Sequence, residues 1–298
     1  MKAAPFEYSR PAGIDEACAL LAADESARVI AGGQTLVAMM AMRLARPTRL
    51  IDINRIAALS YIRAEKETIA IGATTRQCVV ERDPLVAAKL PLLARAIPWI
   101  GHAATRARGT IGGSLANADP AAECALIAVT LDAVLAYRAS GASHEVAARD
   151  FFIGPMITTL PAGAVLTGVR FPVWSGKVGT GFHEVNARQS DFAFVTAAAQ
   201  VELGCDGACK RIAISVGAVT DFPMRLESAE QQLKGGKLDY AAVKAAVTDA
   251  LADIDALADL HASAEYRKRV AIKLAMRAVA DARDRALGKT VQDTAHAH

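Results

Sequence analysis

At 298 residues, 53 % hydrophobic and 22 % charged, the chain holds enough apolar material for two or three domains. No apolar run approaches the roughly eighteen residues that a membrane span needs. The net charge of +3 with scattered basic residues argues against a nucleic-acid partner, and Arg267-Lys268-Arg269 reads as one solvated helical turn. The apolar patch at 17–23 is too short for a secretory leader and follows Asp15 and Glu16, so a cytoplasmic protein is expected.

The first fifty-odd residues alternate helix and strand signals. Ile14, Ala17, Cys18 and Leu21 share a helical face, and the run 28–31 is a short strand halted by Gly32-Gly33. Residues 36–44, rich in Met, Ala and Leu, predict a buried helix that ends before Pro47, and 50–53 predicts a strand. A second region runs from about 59 to 172. It contains a strand at 68–71, a helix entered through Pro91 that Pro98 must kink or end, and a helix at 121–130. Strands at 133–138 and 165–171 complete it. The segment 110–123 has little periodicity and many small residues, the composition of a functional loop.

Three glycines and a lysine at 175–181 predict a linker. Beyond it, strands are expected at 192–203 and 212–219, followed by helices with Tyr240, Val243, Val247 and Leu251 at helical spacing. The expected division is 1–57, 58–174, a C-terminal domain at 178–288 with a three-stranded sheet plus helices, and a flexible tail at 289–298.

The five cysteines, Cys18, Cys78, Cys124, Cys205 and Cys209, are odd in number and widely spaced. Neither a disulfide framework nor the roughly four clustered ligands of an iron–sulfur cluster or structural zinc is supported. Cys205 and Cys209 read as reduced thiols on a hairpin loop containing a glycine. No metal ligand is assigned to this chain.

Two glycine pairs carry the chemistry. Ala31-Gly32-Gly33-Gln34-Thr35 lies between a strand and a helix. Glycines there permit positive φ and close approach to a ligand, and the amide groups freed by such a turn suit an anion. The alternative is an ordinary tight turn with Thr35 as helix N-cap. Thr110-Ile111-Gly112-Gly113-Ser114 repeats the pattern and leads to Asp119-Pro120, a helix-start pair with Asp119 as N-cap and Glu123 in the first turn. Neither pair is a Gly-x-Gly-x-x-Gly dinucleotide fingerprint or a Walker loop. Two separate Gly-Gly loops suit a ligand with an extended pyrophosphate, gripped from two sides.

The first pentapeptide, with Leu44-Ala45-Arg46-Pro47-Thr48 and Leu50-Ile51-Asp52-Ile53, resembles the first flavin motif of the medium subunits of molybdenum hydroxylases. That family includes carbon monoxide dehydrogenase, quinoline oxidoreductase and the FAD domain of xanthine dehydrogenase. Gly101-His102, Arg108 through Leu115-Ala116 and Asp119-Pro120-Ala121-Ala122 resemble the second motif. Phe151-Phe152, Thr158-Thr159-Leu160 and the strand at 165–172 resemble the segment passing the isoalloxazine ring. Arg188 with Asp191-Phe192-Ala193, and Glu265-Tyr266-Arg267, resemble signatures of the C-terminal domain. Where relatives read Ile-Arg-Asn-Arg before the second motif, this chain has Thr105-Arg106-Ala107-Arg108, and Pro98 interrupts a helix that most relatives continue.

The resemblance spans nearly the whole chain. It implies an α+β fold of the vanillyl-alcohol-oxidase/xanthine-dehydrogenase type, with two α+β subdomains, FAD between them and a C-terminal strand-and-helix domain. It also implies pyrophosphate binding by Gly32, Gly33, Gln34, Thr35 and Leu36 next to Ala31, and by Thr110, Ile111, Gly112, Gly113 and Ser114. Ile100, His102, Asn117 and Asp119 join the site by the same carry-over. Glu123 replaces an aspartate that in many relatives meets the ribityl or nearby hydroxyls. Leu166 matches a leucine backing the flavin, and His183 a residue at the flavin edge, with an ordinary core or surface histidine as its alternative.

The implied function is electron transfer. Substrate is hydroxylated on a large molybdenum-pterin subunit, and electrons pass through [2Fe-2S] clusters of a small subunit to FAD on this chain, then to an external acceptor, in a dimer of heterotrimers. The rivals are a stand-alone flavin oxidoreductase of the vanillyl-alcohol-oxidase type and a scaffold that has lost FAD. No catalytic residue is assigned, because the flavin carries the redox chemistry.

Overall fold

The computed structural model describes residues 2–291. The N-terminal sheet is parallel, in the order β1-β3-β2, formed by β1 (Glu7–Ser9), β2 (Arg28–Ile30) and β3 (Arg49–Asp52). Parallel neighbours need crossovers, and these are α1 (Ile14–Ala22) and α2 (Leu36–Ala41). Ala17 and Cys18 of α1 are buried as their spacing predicts. The expectation of a buried helix at 36–44 is not met. The helix stops at Ala41, only Met40 is buried in it, and Val37, Met42 and Leu44 are exposed. Arg43 at φ 60 breaks it before Pro47 is reached.

The second sheet is antiparallel in the order β4-β5-β10-β6-β7. Its strands are β4 (Ile62–Glu65), β5 (Thr68–Gly72), β6 (Val134–Ala139), β7 (Ala142–Ala147) and β10 (Val165–Pro172). Between β5 and β6 the chain runs through α3 (Gln77–Arg82), α4 (Pro84–Lys89), α5 (Pro91–Ala96), α6 (Ala103–Arg108), α7 (Ile111–Asn117) and α8 (Glu123–Thr130). Asp83 caps α4 by accepting from the Leu85 and Val86 amides at 2.9 and 3.0 Å, with Pro84 at the first helical position. Pro98 ends α5, and residues 97–99 form a single 3₁₀ turn. After β7, α9 (Ala148–Phe151) leads into the small hairpin β8 (Phe152–Gly154) and β9 (Ile157–Thr158). Phe151 and Phe171 are fully buried in the core beneath this sheet. Each such side chain contributes about 1.5–3 kcal/mol over its exposed state.

The third sheet is antiparallel, β11 (Lys177–Val185), β12 (Val195–Leu203), β13 (Cys209–Gly217) and the two-residue β14 (Met224–Arg225), so it has four strands where three were expected. Every residue of β12 is buried, because both faces of the sheet are covered. Phe182 and Ala198 pack into the core of the second region, and Ala197, Ala199 and Val201 into the core under the C-terminal helices. Those helices are α10 (Glu227–Leu233), α11 (Tyr240–Ala250) and α12 (Ala264–Ala286). The tail expected at 289–298 lies outside the described residues from position 292 onward.

The linker expected at 175–181 is largely strand. A Cβ on Gly179 or Gly181 would fall inside the carbonyl oxygens of Ala282 and Ala278 on α12. These glycines let an alanine-lined helix lie directly on the strand, a packing use of glycine that looks like a loop in one dimension. Arg267 is likewise no solvated turn. It is 4 % exposed and donates to the Phe194 and Ala218 carbonyls at 2.5 and 2.9 Å and to Asp259 at 2.5 Å.

Candidate functional site

β2 ends at Ile30 and the chain turns through Gly33, whose φ of +70° excludes most side chains. The amide groups of Gly32, Gly33, Gln34, Thr35 and Leu36 find no acceptor among the described residues. Thr35 stands at the N-cap position of α2 but its hydroxyl caps nothing, so capping does not explain this residue. Five adjacent donors without partners among the described residues, two of them on glycines, form a cradle suited to phosphate oxygens.

The second motif is built differently. Residues 111–117 are helix rather than loop. Thr110 caps it, its Oγ1 accepting from the Gly113 amide at 3.0 Å. The Ile111 and Gly112 amides donate to the Thr75 and Ala73 carbonyls at 3.1 and 2.9 Å, and Ser114 to Thr110 O at 3.1 Å. These donors are therefore committed within the chain. Gly112 is required for packing, since a Cβ would stand 2.5 Å from that of Ala73, whereas Gly113 is exposed. What this motif presents to a ligand is the bare surface at Gly113.

The two motifs touch. A Cβ on Gly32 would come within 2.5 Å of Arg108 O and 2.9 Å of Gly109 Cα. Two residues that no sequence signal marked tie them together. Asn54 donates to Ala31 O at 2.8 Å, and Arg76 donates both to Asn54 Oδ1 at 2.7 Å and to the Arg108 carbonyl. The backbone of Gln77 adds a bond to Gly109 O at 2.9 Å. Arg106, in the stretch that departs from the family pattern, pairs with both oxygens of Glu81 at 2.9 and 3.0 Å. It also donates to the carbonyls of Pro98, Ile100 and Gly101, which shapes the turn before His102. His102 is exposed, and Ile100, Ile111 and Leu166 belong to one continuous core.

Asp119 does not cap a helix. Ala118 at φ 51 ends α7, Asp119 Oδ1 accepts from the Ala121 amide at 2.9 Å, and α8 begins only at Glu123 with Ala122 before it. Pro120 is thus outside the helix; its carbonyl accepts from the Ala218 amide at 2.9 Å, tying this loop to the end of β13. Asn117 is the last residue of α7. Burial pushes the Glu123 carboxyl up to about 7, with the Asp119 charge adding to it and Arg106 opposing.

His183 is paired within the chain. On β11 it lies on the same face as Gly179 and Gly181, turned to α12, and its Nε2 sits 3.1 Å from Asp281 Oδ2. Alternation along the strand sends Glu184 to the opposite face, toward Glu123. Burial and the Glu123 charge push the Glu184 carboxyl up to about 9. A one-residue difference on the strand decides which side chain faces α12 and which faces Glu123.

Comparison with known proteins identifies the family. The FAD binding domain in molybdopterin dehydrogenase matches residues 4–174, and the CO dehydrogenase flavoprotein C-terminal domain matches residues 180–282. The chain belongs to the FAD-binding medium subunits of molybdenum hydroxylases. It is 36 % identical to the carbon monoxide dehydrogenase medium chain of Afipia carboxidovorans, over 94 % of this chain and 98 % of that one. It is 34 % identical to 6-hydroxypseudooxynicotine dehydrogenase complex subunit alpha of Paenarthrobacter nicotinovorans, over 96 % and 97 %. Carbon monoxide dehydrogenase from Hydrogenophaga pseudoflava superposes with a TM-score of 0.93 at 34 % identity, covering 96 % of this chain and 99 % of that one. As a member of the family this chain is an oxidoreductase subunit with FAD as its cofactor, not a stand-alone flavin oxidoreductase. Among the described residues no helix is long and apolar enough to cross a membrane.

Proposed function

We propose that this chain takes electrons from iron–sulfur clusters of a small partner subunit and delivers them to an external acceptor, while a large molybdenum-pterin subunit oxidises the substrate. The assembly proposed is a cytoplasmic dimer of heterotrimers. The observation that carries the reading is the cradle of five unpartnered amides at Gly32 to Leu36, lashed through Asn54 and Arg76 to the second glycine motif. When bound, FAD supplies the redox chemistry, accepting and releasing electrons singly or in pairs.

The chain's own residues supply position. The amides of Gly32, Gly33, Gln34, Thr35 and Leu36, beside Ala31, hold the pyrophosphate on one side. Thr110, Ile111, Gly112, Gly113 and Ser114 let it approach on the other. Glu123 accepts from the cofactor's hydroxyls, with Asn117, Asp119, Ile100, His102 and Leu166 around it. The proposed units are residues 1–57 and 58–174, which enclose FAD, and 178–288, which closes the site through β11.

The test is reduction under anaerobic conditions. Physiological substrate should bleach the flavin in the reconstituted complex, while the chain alone stays oxidised. Full-rate reduction of the lone chain by a small organic substrate would overturn the reading.

A further inference from the structure

Glu184 is a buried acid with half of its hydrogen-bonding capacity unused. The residue is 8 % exposed. Its Oε1 accepts from Asn186 Nδ2 at 2.9 Å, and its Oε2 is buried with no partner among the described residues. It pairs across the sheet with Thr196, which pairs with Gly217. This row faces the FAD-binding region, because Phe182 and Ala198 two residues along pack into that region's core. The row meets the segment between α7 and α8. A Cβ on Gly217 would lie 3.6 Å from both Pro120 O and Leu126 Cδ1, and the Ala218 amide bonds Pro120 O. Glu123 opens α8 at the end of that same segment, close enough for its charge to act on the Glu184 carboxyl, so the seam holds two carboxyls from different regions.

The charged groups around the seam do not neutralise both. On the α6 side Arg106 is committed to Glu81 and three backbone carbonyls. Asp119 adds a negative charge beside Glu123. Arg95 of α5 bonds Thr180 Oγ1, four residues before Glu184 along β11, at 3.3 Å. On β12, Glu202 is paired with Lys210. The His183–Asp281–Arg285 group lies behind the sheet, against α12. Two ionised carboxylates at such a seam repel each other with little solvent to screen them, and one retained proton removes the conflict.

We propose that Glu123 and Glu184 share a single proton and present one negative charge to the hydroxyls of FAD, which makes Glu184 a positioning residue for the cofactor. This rests on the placement of FAD beside Glu123 given above. Glu123 can then accept from the cofactor while Glu184 keeps the seam closed as a neutral acid. Ionisation of the second carboxyl drives the two regions apart and weakens the hold on FAD.

The experiment is a titration of FAD binding by flavin fluorescence, from about pH 6 to 10, with wild type, Glu184→Gln and Glu123→Gln. Wild type should lose affinity at alkaline pH, by about tenfold per unit once the last proton leaves. Glu184→Gln, neutral at every pH, should bind FAD with no such break. If Glu184→Gln keeps the wild-type slope, the shared proton is refuted and the FAD site stands. If Glu123→Gln leaves affinity unchanged throughout, the placement of FAD beside Glu123 fails instead. Infrared difference spectra of wild-type holoprotein between the two pH limits give a check that needs no variant. Loss of a protonated-carboxyl band is expected, and its absence overturns the proposal.

Discussion

At Gly32 the neighbour is another stretch of the same chain, with Arg108 O only 2.5 Å from where a Cβ would stand. Gly32→Ala must push the two glycine motifs apart, and overpacking of this kind costs about 1–3 kcal/mol. If that cost falls on the cofactor-binding conformation, FAD affinity drops roughly ten- to hundredfold. The flavin-to-protein absorbance ratio of purified protein reads it directly, and a full complement of FAD in folded Gly32→Ala would count against the two-sided grip. Gly33→Val should lose FAD for a different reason, because a β-branched residue at φ +70° cannot hold the turn. Both glycines were legible as a turn between strand and helix, and Gly33 at φ 70 makes that turn. Asn54 and Arg76 were not, because a side chain acting on distant backbone leaves no periodic or motif signature. Glu184 gives a stability effect whose sign follows from its burial. Its carboxyl is pushed up to about 9 in the folded chain, so the fold favours the protonated form. The contribution is complete below the ordinary carboxylate range and is lost as pH rises toward about 9. Thermal melting should therefore fall on the alkaline side for wild type, and less steeply for Glu184→Gln.

Among the elements, β11 and α12 are the pair whose contact the sequence concealed most. Sequence pattern marked β12, α11 and the strands β5, β6 and β10 of the second sheet, but not its mostly exposed edge strands β4 and β7. Gly179 and Gly181 carry no side chain to show a period, and with Gly176 and Lys177 beside them they read as linker. The helix at 111–117 was hidden for a related reason: Gly112, Gly113 and Ser114 are poor helix formers, and Thr110 with the carbonyls of Ala73 and Thr75 holds the turn. Gly181→Val should destabilise the C-terminal region by about 1–3 kcal/mol or more, since the Ala278 carbonyl leaves no space for it. Chemical denaturation should register this loss even if the FAD-binding core is unaffected. An unchanged midpoint would mean that α12 is free to lift from the strand. Arg267→Met tests the other end of α12: it orphans the Phe194 and Ala218 carbonyls, at about 1–3 kcal/mol each.

For the molecule as a whole, the order of motifs along the chain was enough to indicate the architecture, with the first glycine motif at the end of β2 and the second between α6 and α7. The third sheet then closes over the second through Phe182, Ala198 and the Pro120–Ala218 bond. The chemistry is divided by design between chains, which is why composition and motifs here say nothing of the molecule being oxidised. Iron analysis of the purified single chain is expected to give no stoichiometric metal, and stoichiometric iron in the monomer would break the proposed division of labour. Changing Cys205 or Cys209 to Ser should leave flavin reduction in the complex intact. Cys205 is exposed in the turn before β13, while Cys209 is buried within that strand.

The unequal hydrogen bonding of the two glycine motifs has a consequence for isotope exchange. Amide hydrogens of residues 32–36 have no acceptor among the described residues, so they should take up deuterium quickly when FAD is withheld and slow by at least about tenfold when it binds. Amides 111–114 are already engaged with Thr110, Ala73 and Thr75, and should be protected to a similar degree in both conditions. Two stretches alike in letters would then differ in their exchange record, one reporting the arrival of the cofactor and the other only the integrity of the fold.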